Sequence, residues 1–137
     1  MALQLSVAVR NAMLDAIETA IGTSAVMKIR TGAAPASVAT ADSGTVLATL
    51  TLPSDWLAAA SSGSKAKSGT WEDASADAAG TAAHYRIYAS DGTTAHLQGT
   101  VTATGGGGDL AVDNVVFAAG QSFTLSLIHI SEPTRPY

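Results

Sequence analysis

The spacing of hydrophobic and polar positions changes once along the chain, from a helical period in residues 6–22 to alternation over most of the remaining length. In "SVAVRNAMLDAIETAIG", Val9, Met13, Ile17, Ala20 and Ile21 fall along one side of a helix, with Asn11, Asp15, Glu18 and Thr19 along the other. Ser6 stands where an N-cap is wanted, and Gly22 where a left-handed residue after the C-cap is wanted. Ordering such a helix costs ~1–2 kcal/mol per residue in backbone entropy, and each buried apolar side chain returns roughly 1.5–3 kcal/mol. The two nearly cancel, so the helix is expected to dock through its apolar side onto its own sheet, over Met27, Val46 or Leu50.

Alternation begins at residues 25–30, where Ala25, Met27 and Ile29 share a face and Val26, Lys28 and Arg30 the other. Residues 31–44, rich in Ala, Ser and Thr, read as a surface loop. Residues 45–52 alternate with Val46, Ala48, Leu50 and Leu52 inward, until Pro53 stops the strand; Ser54 then predicts a capped helical turn through residues 56–60. Residues 65–72 read as a weaker strand whose two lysines suit a sheet edge. Four glycines at 105–108 predict a flexible turn, followed by short strands that carry Leu110 with Val112 and Phe123 with Leu125. The expected fold is mainly β: an antiparallel β-sandwich or jelly-roll-like barrel of about seven short strands with one N-terminal amphipathic α-helix, as a single domain over residues 1–124.

Residues 81–102 form the hairpin around which this fold is organised. Tyr85, Ile87 and Ala89 are the apolar set of one arm, and Ala95, Leu97 and Val101 that of the other. A two-residue turn would put these sets on opposite faces. A three-residue loop with Gly92 in the left-handed region puts both on one face, pairing Ile87 with Ala95 and Tyr85 with Leu97. The other face then carries His84, Arg86, Tyr88, His96 and Gln98.

Composition narrows the function. Only 13% of residues are charged and 47% are hydrophobic, which fits a folded, weakly charged domain. A net charge of −4 with seven Lys and Arg argues against a nucleic-acid partner, and the absence of cysteine excludes disulfides and thiolate metal sites. No apolar run approaches a membrane-spanning length, and the N-terminus lacks the pattern of a signal peptide.

The hairpin's polar face is the best polar constellation in the chain. It offers no carboxylate close in sequence to orient either histidine and no third metal ligand, so neither a catalytic set, a metal nor a cofactor is expected there. The face reads as solvated or subunit-contacting, with glycan or partner contact as the alternative. Trp56 and Trp71 are candidate platforms for a glycan, weighed against packing over the core edge. The glycine run lacks the Lys-Ser/Thr and the strand-to-helix setting of a phosphate loop, and Asp42, Asp109 and Asp113 do not lie in a calcium-loop spacing. No serine sits in a Gly-x-Ser-x-Gly elbow, and the chain is read as a non-enzyme.

With "KIRTG", "GTVLATLTLPSDW" and "HYRIYASDGTTAHLQGTV" behind the helix, residues 3–124 resemble small Ala/Thr/Gly-rich structural proteins of tailed-bacteriophage virions. The resemblance implies a non-enzymatic tail, neck or head-decoration component, assembled in the bacterial host cytoplasm, whose partners are copies of itself or other virion proteins. The alternative from the same strands is a carbohydrate-binding or adhesin-like module at the host surface, stacking a glycan on Trp56, Trp71 or Tyr88. The end, "LSLIHISEPTRPY" at residues 125–137, breaks with the preceding composition. It is similar to a translated sequencing-library adapter, which implies a non-native tail and removes His129, Glu132 and Arg135 from the site candidates; its first residues are expected to prolong the last strand.

Overall fold

The computed structural model describes residues 3–125 and the backbone of residues 129–131. The helix α1 (Val7–Ile21) is capped as its sequence predicts. Ser6 Oγ accepts the Val9 N–H at 3.2 Å, and Gly22, at φ +93°, donates its N–H to the Glu18 carbonyl. Eleven strands come after it among the described residues: β1 (Val26–Arg30), β2 (Val46–Thr51), β3 (Ser64–Ala66), β4 (Trp71–Asp73), β5 (Gly80–Thr81), β6 (His84–Tyr88), β7 (Ala95–Ala103), β8 (Leu110–Val112), β9 (Val116–Phe117), β10 (Phe123–Leu125) and β11 (His129–Ser131). The chain is mainly β, with one helix among the described residues and a curled, largely antiparallel sheet of order β2-β1-β6-β7-β8. Two-stranded ribbons β4–β10, β3–β11 and β5–β9 complete it. Since β11 pairs with β3, strand structure does reach into the tail; the remaining expectations for residues 126–128 and 132–137 lie outside the described residues.

Alternation sets the two faces of the large sheet. The register brings Met27 beside Ile87 and Leu50, and Ile29 beside Tyr85 and Ala48, so one face is apolar. It packs with Ile21, Trp56, Trp71, Val101 and Phe117 into one buried cluster. Leu47 joins the core because a bulge between Ile29 and Arg30 inserts it as the extra residue of β2. Gly99 lies opposite Tyr85, and a Cβ there would stand 2.7 Å from the tyrosine ring, so glycine is what lets the ring lie flat on β7.

The hairpin keeps its predicted faces by a different route. Ile87 lies opposite Leu97, not Ala95, and Tyr85 opposite Gly99, not Leu97. The loop holds four residues, closed by the Ala89 N–H on the Thr94 carbonyl, and Asp91 accepts the N–H groups of Thr93 and Thr94. A four-residue loop alone would turn one arm over. The bulge between Ile87 and Tyr88, with His96 as the extra residue, restores the common face. Gly92 is left-handed, at φ +71°, as expected.

The helix docks through only part of its expected apolar side, rotated so that the edge carrying Leu14 and Glu18 also faces inward. Leu14 and Ile21 are buried and Ile17 is half-buried, but Val9 and Met13 are 45% and 38% exposed. Glu18 and Asp15 turn toward the body because Lys65, buried although β3 is an edge strand of its two-stranded ribbon, donates to Asp15 Oδ1 at 2.7 Å and pairs with Glu18 Oε1 at 3.2 Å. Burial works against the ammonium, yet the bonds and charges of Asp15 and Glu18 prevail and hold its pKa above the usual lysine value. Asn11, Asp15 and Glu18 also accept the N–H groups of Gly63, Ala60 and Leu57. Those backbone donors are satisfied by helix side chains, so residues 56–60 form no helical turn, and residues 65–72 split between β3 and β4. The glycine run turns tightly over Thr102, whose side chain a Cβ at Gly106 or Gly108 would meet at 2.7–2.8 Å, and delivers β8 parallel to β7.

Candidate functional site

The polar face of the large sheet carries cations from two adjacent strands. On β1, Lys28 and Arg30 project to that face; on β6, His84, Arg86 and Tyr88 do, with Lys28 opposite Arg86 and Arg30 opposite His84. Three cations side by side in a weakly charged chain need a counter-charge, and the loop of residues 31–44 supplies it. The loop leaves β1, crosses this face and returns to β2; its base is closed by the Thr31 N–H on the Thr45 carbonyl and the Thr45 N–H on Thr31 Oγ1.

Asp42 is the centre of the contact. Its Oδ1 accepts from Arg86 Nη1 at 2.8 Å and from the Tyr88 hydroxyl at 2.8 Å, and its Oδ2 accepts from Arg30 Nη2 at 2.9 Å. Arg86 also donates to the Ser37 and Thr40 carbonyls and to Gln98 Oε1, while Gln98 Nε2 donates to the Pro35 carbonyl. Arg30 reaches the Gly44 carbonyl and the Tyr88 oxygen, each at 3.3 Å. Lys28 donates to the Gly92 carbonyl and lies 5.0 Å from the centroid of the Tyr88 ring. Partial burial opposes ionisation of Asp42, but the bonds from Tyr88 and Arg86 and the charges of Arg30 and Arg86 outweigh it and lower its pKa. The Tyr88 hydroxyl is pushed up by burial and by its bond to that carboxylate.

The arrangement is therefore a clamp that holds a fourteen-residue loop onto a sheet. The face read as open to a partner is covered: His84, Arg86 and Tyr88 are buried, Gln98 is half-buried beneath the loop, and only His96 is exposed, at the bulge. His84 donates Nδ1–H to the Gly32 carbonyl at 2.7 Å and buries Nε2 without a partner among the described residues. The Asp42 carboxylate is engaged by three donors, and its lowered pKa makes it a weak base. Among the described residues no three of His, Asp and Glu converge as a metal set.

None of the protein-family models, curated proteins or solved structures compared with the chain matches it.

Trp56 and Trp71 also lie elsewhere than a glycan platform requires. Both are fully buried, 5.9 Å apart between ring centroids, and their indole N–H groups are spent on the Gly22 carbonyl and on the Trp56 and Ser68 carbonyls. A tryptophan with its polar edge satisfied inside the core has no face left to stack a sugar. Asp42, the residue missed as an anchor, had one trace in the sequence: Arg30 and Arg86 sit on polar faces of strands with no acidic neighbour. Which carboxylate answers them depends on a fold-back of 44 residues between Asp42 and Arg86.

Proposed function

We propose that the chain is a structural subunit of a tailed-phage virion, acting by packing against copies of itself or neighbouring virion proteins in tail, neck or head-decoration position. The observation that carries this reading is the outward side of α1. Val9, Ala12, Met13, Ala16 and Ala20 form an exposed stripe without a single charge, because the acidic residues of the helix are turned inward to Lys65. An uncharged stripe loses little on desolvation, and its alanines allow close approach of another backbone. Leu3 and Val7, near the N-terminus, are exposed as well. The contact surface thus moves from the covered hairpin face to the helix. Contact of ribbon β4–β10 with the large sheet through β2 and β4 supports a sandwich-like arrangement of the body.

The test is a pair of charges on the stripe, Met13→Glu with Ala16→Glu, followed by light scattering and thermal melts. The wild-type chain is expected to associate as its concentration rises, and the double variant to stay monomeric with a Tm within a few degrees of the parent. A wild-type chain that stays monomeric at millimolar concentration would remove the carrying observation. Mass spectrometry of purified particles made by cells expressing the gene addresses location: many copies per particle are expected, and absence from the particle would sink the virion assignment.

A further inference from the structure

A second surface feature lies at the other end of the chain, where β8 and β10 leave a cleft of about 230 Å³ between them. Val112 and Leu125 are buried beside it and supply an apolar floor. Phe123 is half-buried in its wall, its ring held against Phe117 with centroids 4.9 Å apart. Around this ring stand Asp113, Asn114, Gln121, Ser122 and Thr124.

The orientation of the two amides is set by the backbone. Asn114 Oδ1 accepts the Val116 N–H at 3.0 Å, and Gln121 Oε1 accepts the Ala118 N–H at 2.9 Å. With each oxygen turned to a backbone donor, each amide presents its NH₂ group as a free donor. Asp113 makes no hydrogen bond or ion pair to a described residue, so its carboxylate remains a pure acceptor. The hydroxyls of Ser122 and Thr124 can act in either sense. The lining therefore combines fixed donors, one charged acceptor and an anchored aromatic ring.

That combination selects among ligand classes. Among the described residues no Lys, Arg or His lines the cleft to hold a phosphate or carboxylate, and a single carboxylate is a poor set for a hard cation. A neutral polyhydroxy ring fits: its hydroxyls both donate and accept, and its C–H face can lie on an aromatic side chain. Ligand pockets for drug-sized molecules run roughly 300–1,000 Å³, so this smaller cleft suits one sugar ring. We infer that the cleft between β8 and β10 is a binding subsite for a single pyranose, with Asp113 accepting from ring hydroxyls, Asn114 and Gln121 donating to them, and Phe123 stacking. It uses no residue of α1, so its test stands or falls apart from the assembly reading.

Saturation-transfer and amide-shift NMR decide it, using glucose, galactose, mannose and N-acetylglucosamine, their methyl glycosides, and glycerol as a control. At least one pyranose is expected to bind with a Kd on the order of 1 mM, the range open to so small a ligand. Amide shifts should centre on residues 111–114 and 121–125. Asp113→Ala, at an exposed position, and Phe123→Leu, which keeps an apolar side chain, should each weaken binding about tenfold. Asp55→Ala, on an exposed bend away from the cleft lining, should leave it unchanged. Methyl glycosides binding as well as free sugars would identify a chain-terminal residue of a glycan; binding of reducing sugars alone would identify free sugar, and either supports the site. Silence from every pyranose at about ten times that Kd, glycerol shifting the same amides equally, or full binding in both cleft variants would overturn it.

Discussion

Replacing Asp42 with alanine removes the carboxylate that two guanidinium groups and a phenol share. Arg86 keeps only 2% of its side chain exposed, and Arg30 8%, so both charges are left buried without their counter-ion. Breaking a buried pair from one side costs about 3–5 kcal/mol. The Asp42 side chain is itself 36% exposed, so water can enter and answer part of that charge, which brings the expected loss to about 2–4 kcal/mol. In a domain of this size that is a fall in Tm of roughly 6–16 °C. Urea unfolding followed by the fluorescence of the buried Trp56 and Trp71 measures it. Adding Arg86→Met to Asp42→Ala should restore part of the loss, because it withdraws one stranded charge into an apolar side chain. The pH dependence has a fixed sign. The folded pKa of Asp42 lies below its ordinary 3.8, so its contribution is present above that value and is lost as pH falls through the folded one. The stability gap between the wild type and Asp42→Asn should therefore be flat from about pH 5 to 8 and close below about pH 4. A loss under about 0.5 kcal/mol for Asp42→Ala, the level of an ordinary surface change, would falsify the clamp.

Two further substitutions probe what holds the loop and the helix. Gly44→Ala places a Cβ 1.9 Å from the Thr31 carbonyl oxygen at a position with φ +74°, and should cost about 2–4 kcal/mol in a thermal or urea melt; a neutral result would mean that the base of the loop is not closed as described. Lys65→Met keeps the volume but strands the Asp15 and Glu18 carboxylates, which are 48% and 22% exposed and partly answered by water, and should cost about 1–3 kcal/mol, whereas Lys65→Ala also adds a cavity and should cost about 3–5 kcal/mol. Because the folded pKa of Lys65 lies above its ordinary 10.5 and that of Asp15 below its ordinary 3.8, the gap between wild type and Lys65→Met should be flat between those values, narrowing in strong alkali as Lys65 loses its proton and in acid as Asp15 gains one. A neutral Lys65→Met would show that the packing of the stem, and not the charge, decides the helix dock.

Local chemistry determined the elements. Ser6 and Gly22 bounded the helix, Pro53 closed a strand, and the period of two assigned Ala25, Met27, Ile29, Ala48, Leu50 and Leu52 to the core, while the bulge beside Ile29 put Leu47 there in place of the expected Val46. These are decisions made within a few residues, by capping, fixed φ and alternation, and they hold whatever the rest of the chain does. Tertiary structure decided what covers each face. The helix had a plausible apolar side in Val9 and Met13, but a buried ammonium must be met by carboxylates, and Lys65 turned Asp15 and Glu18 toward the body. The hairpin's polar face looked solvated because its counter-ion, Asp42, lies in a loop 44 positions earlier in the chain than Arg86. The register at the hairpin tip was legible as to face, which alternation constrains, but not as to partner, since a four-residue loop and a bulge at His96 satisfy the same constraint as a three-residue loop. Periodicity assigns a side chain to a face; the charge that the opposite surface brings decides whether that face meets water, a loop or another subunit.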